Sequence, residues 1–335
     1  MKANKNIKDY SIVYGVNSSI NINIFNNEML IGIVGSFDSN LKELEKISGS
    51  KIYFRGNSII IKGEKKSNEK VKNAIEYLVD RFRFDKKIDK SDITAALNQE
   101  MIKDIKNKTT VSSLEEIIKT PKRSVIPRSI KQKKYVKALK SNQIVISLGP
   151  AGTGKTYLAV AIALSMLLEK KVERIILSRP AVEAGEKLGF LPGDMKDKID
   201  PYLRPLYDAL YELLDYEKIQ KKIESGEIEI APLAFMRGRT LKNSIAILDE
   251  AQNATQTQIK MFLTRIGENS KLIVNGDPSQ IDLPNKSQSG LVDSQKVLKN
   301  IKEISIINFD HNDVVRHPLV TKIVEAYQNN INDKD

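Results

Sequence analysis

Cysteine is missing from this 335-residue chain, and histidine occurs only twice, at His311 and His317. The first absence excludes disulfides, cysteine-based zinc sites and cysteine nucleophiles. The second excludes a histidine-rich metal site. No apolar run approaches the roughly 18 uncharged residues that a membrane span needs, and Met1–Asp9 lacks the apolar core of a signal peptide. A cytoplasmic protein with no membrane partner is the expectation. The length suits two domains with buried cores.

Positive charge is present in excess and is unevenly placed. The chain carries a net charge of +12; residues 1–140 hold 29 Lys and Arg against 16 Asp and Glu, whereas the remainder is nearly neutral, with 25 against 26. The extreme is residues 121–140, where Lys122, Arg123, Arg128, Lys131, Lys133, Lys134, Lys137 and Lys140 occur without an acid. Such asymmetry points to a polyanion, nucleic acid above all, as a partner of the N-terminal side. A solvated basic face in a Lys-, Asn- and Ile-rich chain is the alternative.

Residues Gly149-Pro150-Ala151-Gly152-Thr153-Gly154-Lys155-Thr156 form a complete phosphate-binding loop. The apolar run Gln143–Leu148 precedes it and Tyr157–Leu164 follows, so strand, glycine turn and helix succeed one another as the motif requires. The glycines let backbone N–H groups turn inward around phosphate oxygens, and the helix start adds its partial positive charge. Lys155 is placed to reach the β- and γ-phosphates, and the Thr156 hydroxyl to ligate Mg2+.

About ninety positions further on, Ile245-Ala246-Ile247-Leu248-Asp249-Glu250 reads as a strand delivering two carboxylates at its tip, where ligands of open α/β sheets collect. Asp249 suits magnesium, and Glu250 suits polarisation of an attacking water. Gln252 follows closely. Lys271–Asn275 gives another strand, ending in Gly276-Asp277-Pro278-Ser279-Gln280; Gln280 is either a γ-phosphate sensor or part of an ordinary turn.

Along the chain, residues 1–28 read as polar and irregular, with an apolar alternation at Ile20–Ile24. Met29–Val34 reads as a strand, Asn40–Ile47 as an amphipathic helix, Lys51–Arg55 and Ser58–Lys62 as strands joined at Gly56-Asn57, and Glu69–Phe82 as a helix. This order resembles a KH-type RNA-binding domain. Its Gly35–Asn40 stretch lacks the second glycine of the Gly-x-x-Gly clamp, which leaves RNA binding and protein contact both open. Residues 86–125 read as a charged connector. From 126 to 330, helices alternate with β-rich runs at Gln143–Leu148, Arg174–Ser178, Glu227–Ala231, Ser244–Leu248, Lys271–Asn275 and Ile304–Phe309, the pattern of a parallel sheet covered on both faces.

Further motifs then converge on one family. The phosphate loop, Ser178–Glu183, Gly189–Asp194, Pro232–Thr240, Asp249–Asn253, Gly276–Gln280 and Asp313–Val320 together resemble PhoH-family proteins over nearly all of the second domain, and the N-terminal unit is similar to the KH-like region of one branch. The resemblance implies an α/β fold: a RecA-like P-loop NTPase domain, similar to one half of a superfamily 1 helicase, preceded by a small α+β KH-like domain over 1–85. It also implies ATP with Mg2+ as cofactors and a role in RNA metabolism, with an endoribonuclease or ribosomal component as partner. By the same resemblance Gln132 reads the adenine edge and Arg316 touches the γ-phosphate. Arg179, Arg237 and Arg239 are left as surface, inter-subunit or finger candidates, and His317 as a structural donor. Helicase engines enclose the nucleotide between two RecA-like units, and the length leaves room for one. A homo-oligomer, such as a hexamer, is therefore expected.

Overall fold

In the computed structural model, residues 9–86, 88, 90–97, 117–180, 195–284, 288–315, 320 and 323 are described. The chain divides into two compact units, one of residues 1–113, 128–130 and 317–335, the other of 114–127 and 131–316.

The first unit opens with strands β1 (Tyr10–Tyr14) and β2 (Ile20–Ile24), continues with helices α1 (Asn27–Val34) and α2 (Ser39–Ser48), and returns through β3 (Lys51–Arg55) and β4 (Ser58–Lys62) to the long helix α3 (Lys65–Asp85) and the short α4 (Lys90–Ala96). Its sheet runs β1-β2-β4-β3, antiparallel throughout. The Ile20–Ile24 alternation is a strand because Ile20, Ile22 and Ile24 all point into the core while the asparagines between them do not. Each such buried isoleucine contributes about 1.5–3 kcal/mol relative to exposure.

Met29–Val34, expected as a strand, is instead helix α1. Asn26 caps it by accepting the Met29 N–H at 3.0 Å, and Glu28 sits in its first turn. Gly32 explains the choice. A β-carbon there would lie 2.2 Å from the Phe82 ring, so α1 presses closely on α3 through that glycine. The stretch expected as connector also contributes structure. Ile93, Ala96 and Leu97 join the first core, while β5 (Ile118–Lys119) and β6 (Ser124–Val125) make a small antiparallel ribbon in the second unit.

The second unit holds α5 (Ile130–Ser141), β7 (Ile144–Leu148), α6 (Lys155–Leu168), β8 (Arg174–Arg179), α7 (Met195–Leu213), α8 (Tyr216–Glu224), β9 (Ile228–Pro232), β10 (Ser244–Leu248), α9 (Gln256–Leu263), β11 (Lys271–Gly276), α10 (Gly290–Leu298) and β12 (Ile304–Asn308). The six longer strands form one sheet, ordered β12-β7-β11-β10-β8-β9 and wholly parallel. All six expected strand runs are strands. Successive residues of β10 are buried on both faces because separate apolar layers pack above and below: Ile245 and Ile247 enter one cluster, Ala246 and Leu248 the other. The parallel register brings the C-terminal tips of β7, β8, β10 and β11 to one edge, and the polar residues collect there.

Candidate nucleotide site

Strand β7 runs directly into Gly149, whose φ is +143°. A β-carbon at this position would stand 2.6 Å from the Phe309 carbonyl oxygen, so only glycine fits where β7 and the end of β12 approach. Gly152 and Gly154 also take positive φ, at +84° and +79°, and turn the backbone into α6. Neighbouring strands hold the loop from outside. The Gly149 N–H donates to Gly276, the Ala151 N–H to Asp277 Oδ2 at 3.0 Å, and the Val315 N–H to the Gly152 carbonyl at 2.9 Å.

Lys155 is buried and curls under the loop, its Nζ donating to the carbonyls of Gly149 and Pro150 at 2.7 and 2.8 Å and to Thr153 Oγ1 at 3.1 Å. Gln132 is also buried and donates its amide to the Thr153 carbonyl at 3.0 Å. Expected as a reader of the adenine edge, it is found with this nitrogen bracing the loop. Beneath them Tyr135 and Ser147 both donate to Asn275 Oδ1 at 2.7 Å. Burial drives the Tyr135 hydroxyl far above its ordinary range, so it is a permanent donor.

One strand beyond β11, β10 delivers the carboxylates. The Thr156 hydroxyl donates to Asp249 Oδ1 at 2.6 Å, so the two groups expected to hold a cation do meet. Both offer oxygen, the donor a hard divalent cation prefers, and phosphate oxygens and water would complete a magnesium shell. The donor set fits the metal. Glu250 adopts a left-handed backbone, φ +53° and ψ +37°, uncommon for a non-glycine residue. The turn aims its carboxylate outward, 46% exposed, beside the site.

Three features were not legible in the motifs taken singly. Gln252, 1% exposed, donates to Glu250 Oε2 at 2.6 Å and accepts the Asp277 N–H at 3.0 Å. With the Asp277 to Ala151 bond, it completes a relay from Glu250 to the phosphate loop. Asn253 and Asp282 bond reciprocally, at 3.1 and 2.8 Å, and fix the loop after β11 against the turn after β10. Arg179, expected at a surface, pairs with Asp249. The closeness of Gln252 to Asp249-Glu250 was the one available signal.

Other expected residues fall elsewhere. Gln280 is exposed at its turn, its N–H donating to the Asp277 carbonyl and its side chain making no hydrogen bond among the described residues. Arg239 is tied to Glu229 by two bonds of 2.5 and 2.7 Å, which does not suit a free finger. Arg237 is exposed. Arg316 and His317, with the motif segments at 181–194, lie outside the described residues.

A loop shaped to hold phosphate, facing a carboxylate shaped to hold the accompanying cation across one strand of a parallel sheet, defines a P-loop NTPase. Comparison with known proteins agrees. The family model "PhoH-like protein" matches residues 124–328, and one for "IstB-like ATP binding protein" matches residues 64–176. The PhoH-like protein of Bacillus subtilis is 46% identical over 310 residues, 92% of this chain and 97% of the relative. That of Mycobacterium tuberculosis strain H37Rv is 45% identical over 301 residues, 90% and 85% of the two. Protein PhoH of Escherichia coli K12 matches at 46% over 61% of this chain and 58% of its own. This chain belongs to the PhoH-like protein family. Against solved structures, the Pyrococcus furiosus Hef helicase domain aligns with a TM-score of 0.35 and 16% identity, over 55% of this chain and 38% of that one, a likeness too weak to add to the fold read above.

Proposed function

We propose that the protein is a magnesium-dependent ATPase of RNA metabolism, an RNA-stimulated motor of helicase type. The observation that carries this reading is the meeting of Thr156 with Asp249 beside the left-handed Glu250. That geometry suits hydrolysis, because a carboxylate aimed past the metal ligands is where a water attacking a γ-phosphate must be oriented. Lys155 leaves its carbonyl partners for the β- and γ-phosphates, and the loop N–H groups bind the remaining oxygens. Magnesium, when bound, neutralises the charge that develops between those phosphates. Glu250 accepts the proton of the water, with Gln252 fixing its orientation.

RNA as partner rests on the basic N-terminal half, and assembly into a homo-oligomer such as a hexamer rests on the single P-loop unit, whose site would be closed by a second copy. The order two strands, two helices, two strands, two helices, with the tight α1–α2 turn at Gly35, supports a KH-like use of the first unit. One observation favours a second reading, an ATP-switched module that recruits an endoribonuclease or ribosomal component without unwinding. The α1–α2 loop carries Asp38 where the Gly-x-x-Gly clamp has its second glycine, which sets a side chain and a negative charge against any phosphate backbone. ATPase rates with and without RNA, together with strand displacement by wild type and Glu250→Gln, separate the two. RNA stimulation with displacement supports the motor, stimulation alone supports the switch, and a rate indifferent to RNA refutes both.

A further inference from the structure

Arg179 has no role in the mechanism above, yet it is the residue most tightly bound to the metal-ligating carboxylate. It ends β8, which pairs with β10 in register through Ser178 and Leu248, and the Asp249 N–H donates to the Ser178 carbonyl at 2.9 Å. The backbone therefore sets the two side chains beside each other. Arg179 Nε and Nη2 both reach Asp249 Oδ2, at 3.0 and 2.5 Å, while Oδ1 takes the Thr156 hydroxyl. Both oxygens of Asp249 are thus engaged. The pair is largely shielded from water, with the arginine side chain 15% and the aspartate 3% exposed. Nη2 also lies 3.9 Å from Glu250 Oε1, so one guanidinium serves both carboxylates of the site. Its remaining nitrogen, Nη1, donates at 3.1 Å to the Tyr202 carbonyl on α7.

A guanidinium bonded through two nitrogens to one carboxylate oxygen supplies the charge compensation that a divalent cation supplies in a loaded site. The two cannot share Asp249 without repulsion in so shielded a place. We propose that Arg179 is a built-in competitor of magnesium: cation and nucleotide bind by displacing its fork from Asp249, and the displaced arginine reports that event to α7 through the Tyr202 carbonyl. Arg179 is thereby a positioning residue, and α7 is the element that registers loading. This inference rests on Asp249 being a magnesium ligand.

The test is nucleotide binding rather than turnover. A fluorescent, non-hydrolysable ATP analogue is titrated at increasing Mg2+ with wild type, Arg179→Gln and Arg179→Lys, each first checked by thermal melting. Loss of the fork is expected to lower the half-saturating Mg2+ about fivefold, the weight of one modest ion pair, with Lys between the two. An unchanged or raised Mg2+ requirement in Arg179→Gln overturns the competition. Wild-type binding indifferent to Mg2+ overturns the magnesium reading itself, and so is distinct. The chain has no tryptophan, which makes Tyr202→Trp a sole reporter on α7. Its emission is expected to change on adding Mg2+ and nucleotide in the wild-type background, and not in Arg179→Gln. An equal change in both backgrounds overturns the coupling to α7. Should Arg179→Gln not fold, Arg179→Lys carries both readouts.

Discussion

Two glycine-led loops, one in each unit, both use positive φ angles and solve opposite problems with them. Gly149–Thr156 takes its positive φ values on glycines, and Lys155 and Thr153 are turned inward and buried. The α1–α2 loop begins on Gly35 at φ +76°, then puts Phe37 at +53° and Asp38 at +60°, leaving the Phe37 side chain 94% exposed. A left-handed residue that keeps its side chain carries strain of about 1–2 kcal/mol. The first loop removes side chains so that backbone can approach a ligand. The second accepts strain so that a side chain can be presented. One loop is built to receive, the other to protrude.

The contrast can be broken in steps of decreasing size. Glu250→Gln is expected to lower ATP turnover by roughly 10²–10⁴ while nucleotide affinity stays close to wild type, measured by steady-state rates and by fluorescent nucleotide titration. Lys155→Ala should cost about 10²–10³ in turnover, because it deletes a preorganised charge at the developing phosphate, and unlike Glu250→Gln it should weaken binding in the same titration. Gly149→Ala and Gly35→Ala compare the loops directly by thermal unfolding. The new β-carbon at 149 meets the Phe309 backbone, which cannot yield, whereas at 35 it meets the side chains of Asn40 and Ser39. Losses of about 2–3 and about 1 kcal/mol are expected; equal losses would dissolve the distinction. Phe37→Ser should leave stability within about 0.5 kcal/mol. If the loop serves RNA, the substitution should weaken single-strand binding by the roughly 1–3 kcal/mol of one stacked base, read at a single fixed salt concentration. Arg239→Ala comes last. Its partly exposed pair with Glu229 should be worth under about 1 kcal/mol, with turnover unchanged; a large fall in turnover would restore it as a finger.

Most of the second unit was legible because its strands are short apolar runs ending in turn residues, and because the phosphate loop fixes strand, turn and helix together. The first unit was harder. Ile20–Ile24 alternates with the period of a strand, but Met29–Val34 is a short, continuous apolar run, and period alone does not separate a strand from a buried helix at that length. Asn26 followed by Glu28 was the local sign of a helix start, while the Gly32 to Phe82 contact joins residues that no local pattern links. The site divides similarly. Lys155, Thr156, Asp249 and Glu250 sit in motifs, but the Arg179–Asp249 pair spans 70 positions. It exists only because β8 and β10 are neighbours in the sheet. Gln132 and Gln280 show the converse: motif position placed each beside the site, and local packing then turned one into the loop and the other to solvent.

The strand order has one more consequence. A single strand, β11, stands between the phosphate loop on β7 and the acids on β10, and two ladder spacings of about 4.8 Å separate those tips. The gauge of the site is thus set by main-chain geometry that substitution can scarcely alter. Side chains around the rim are free to diverge into new specificities, while the jaw width remains an inheritance of the sheet.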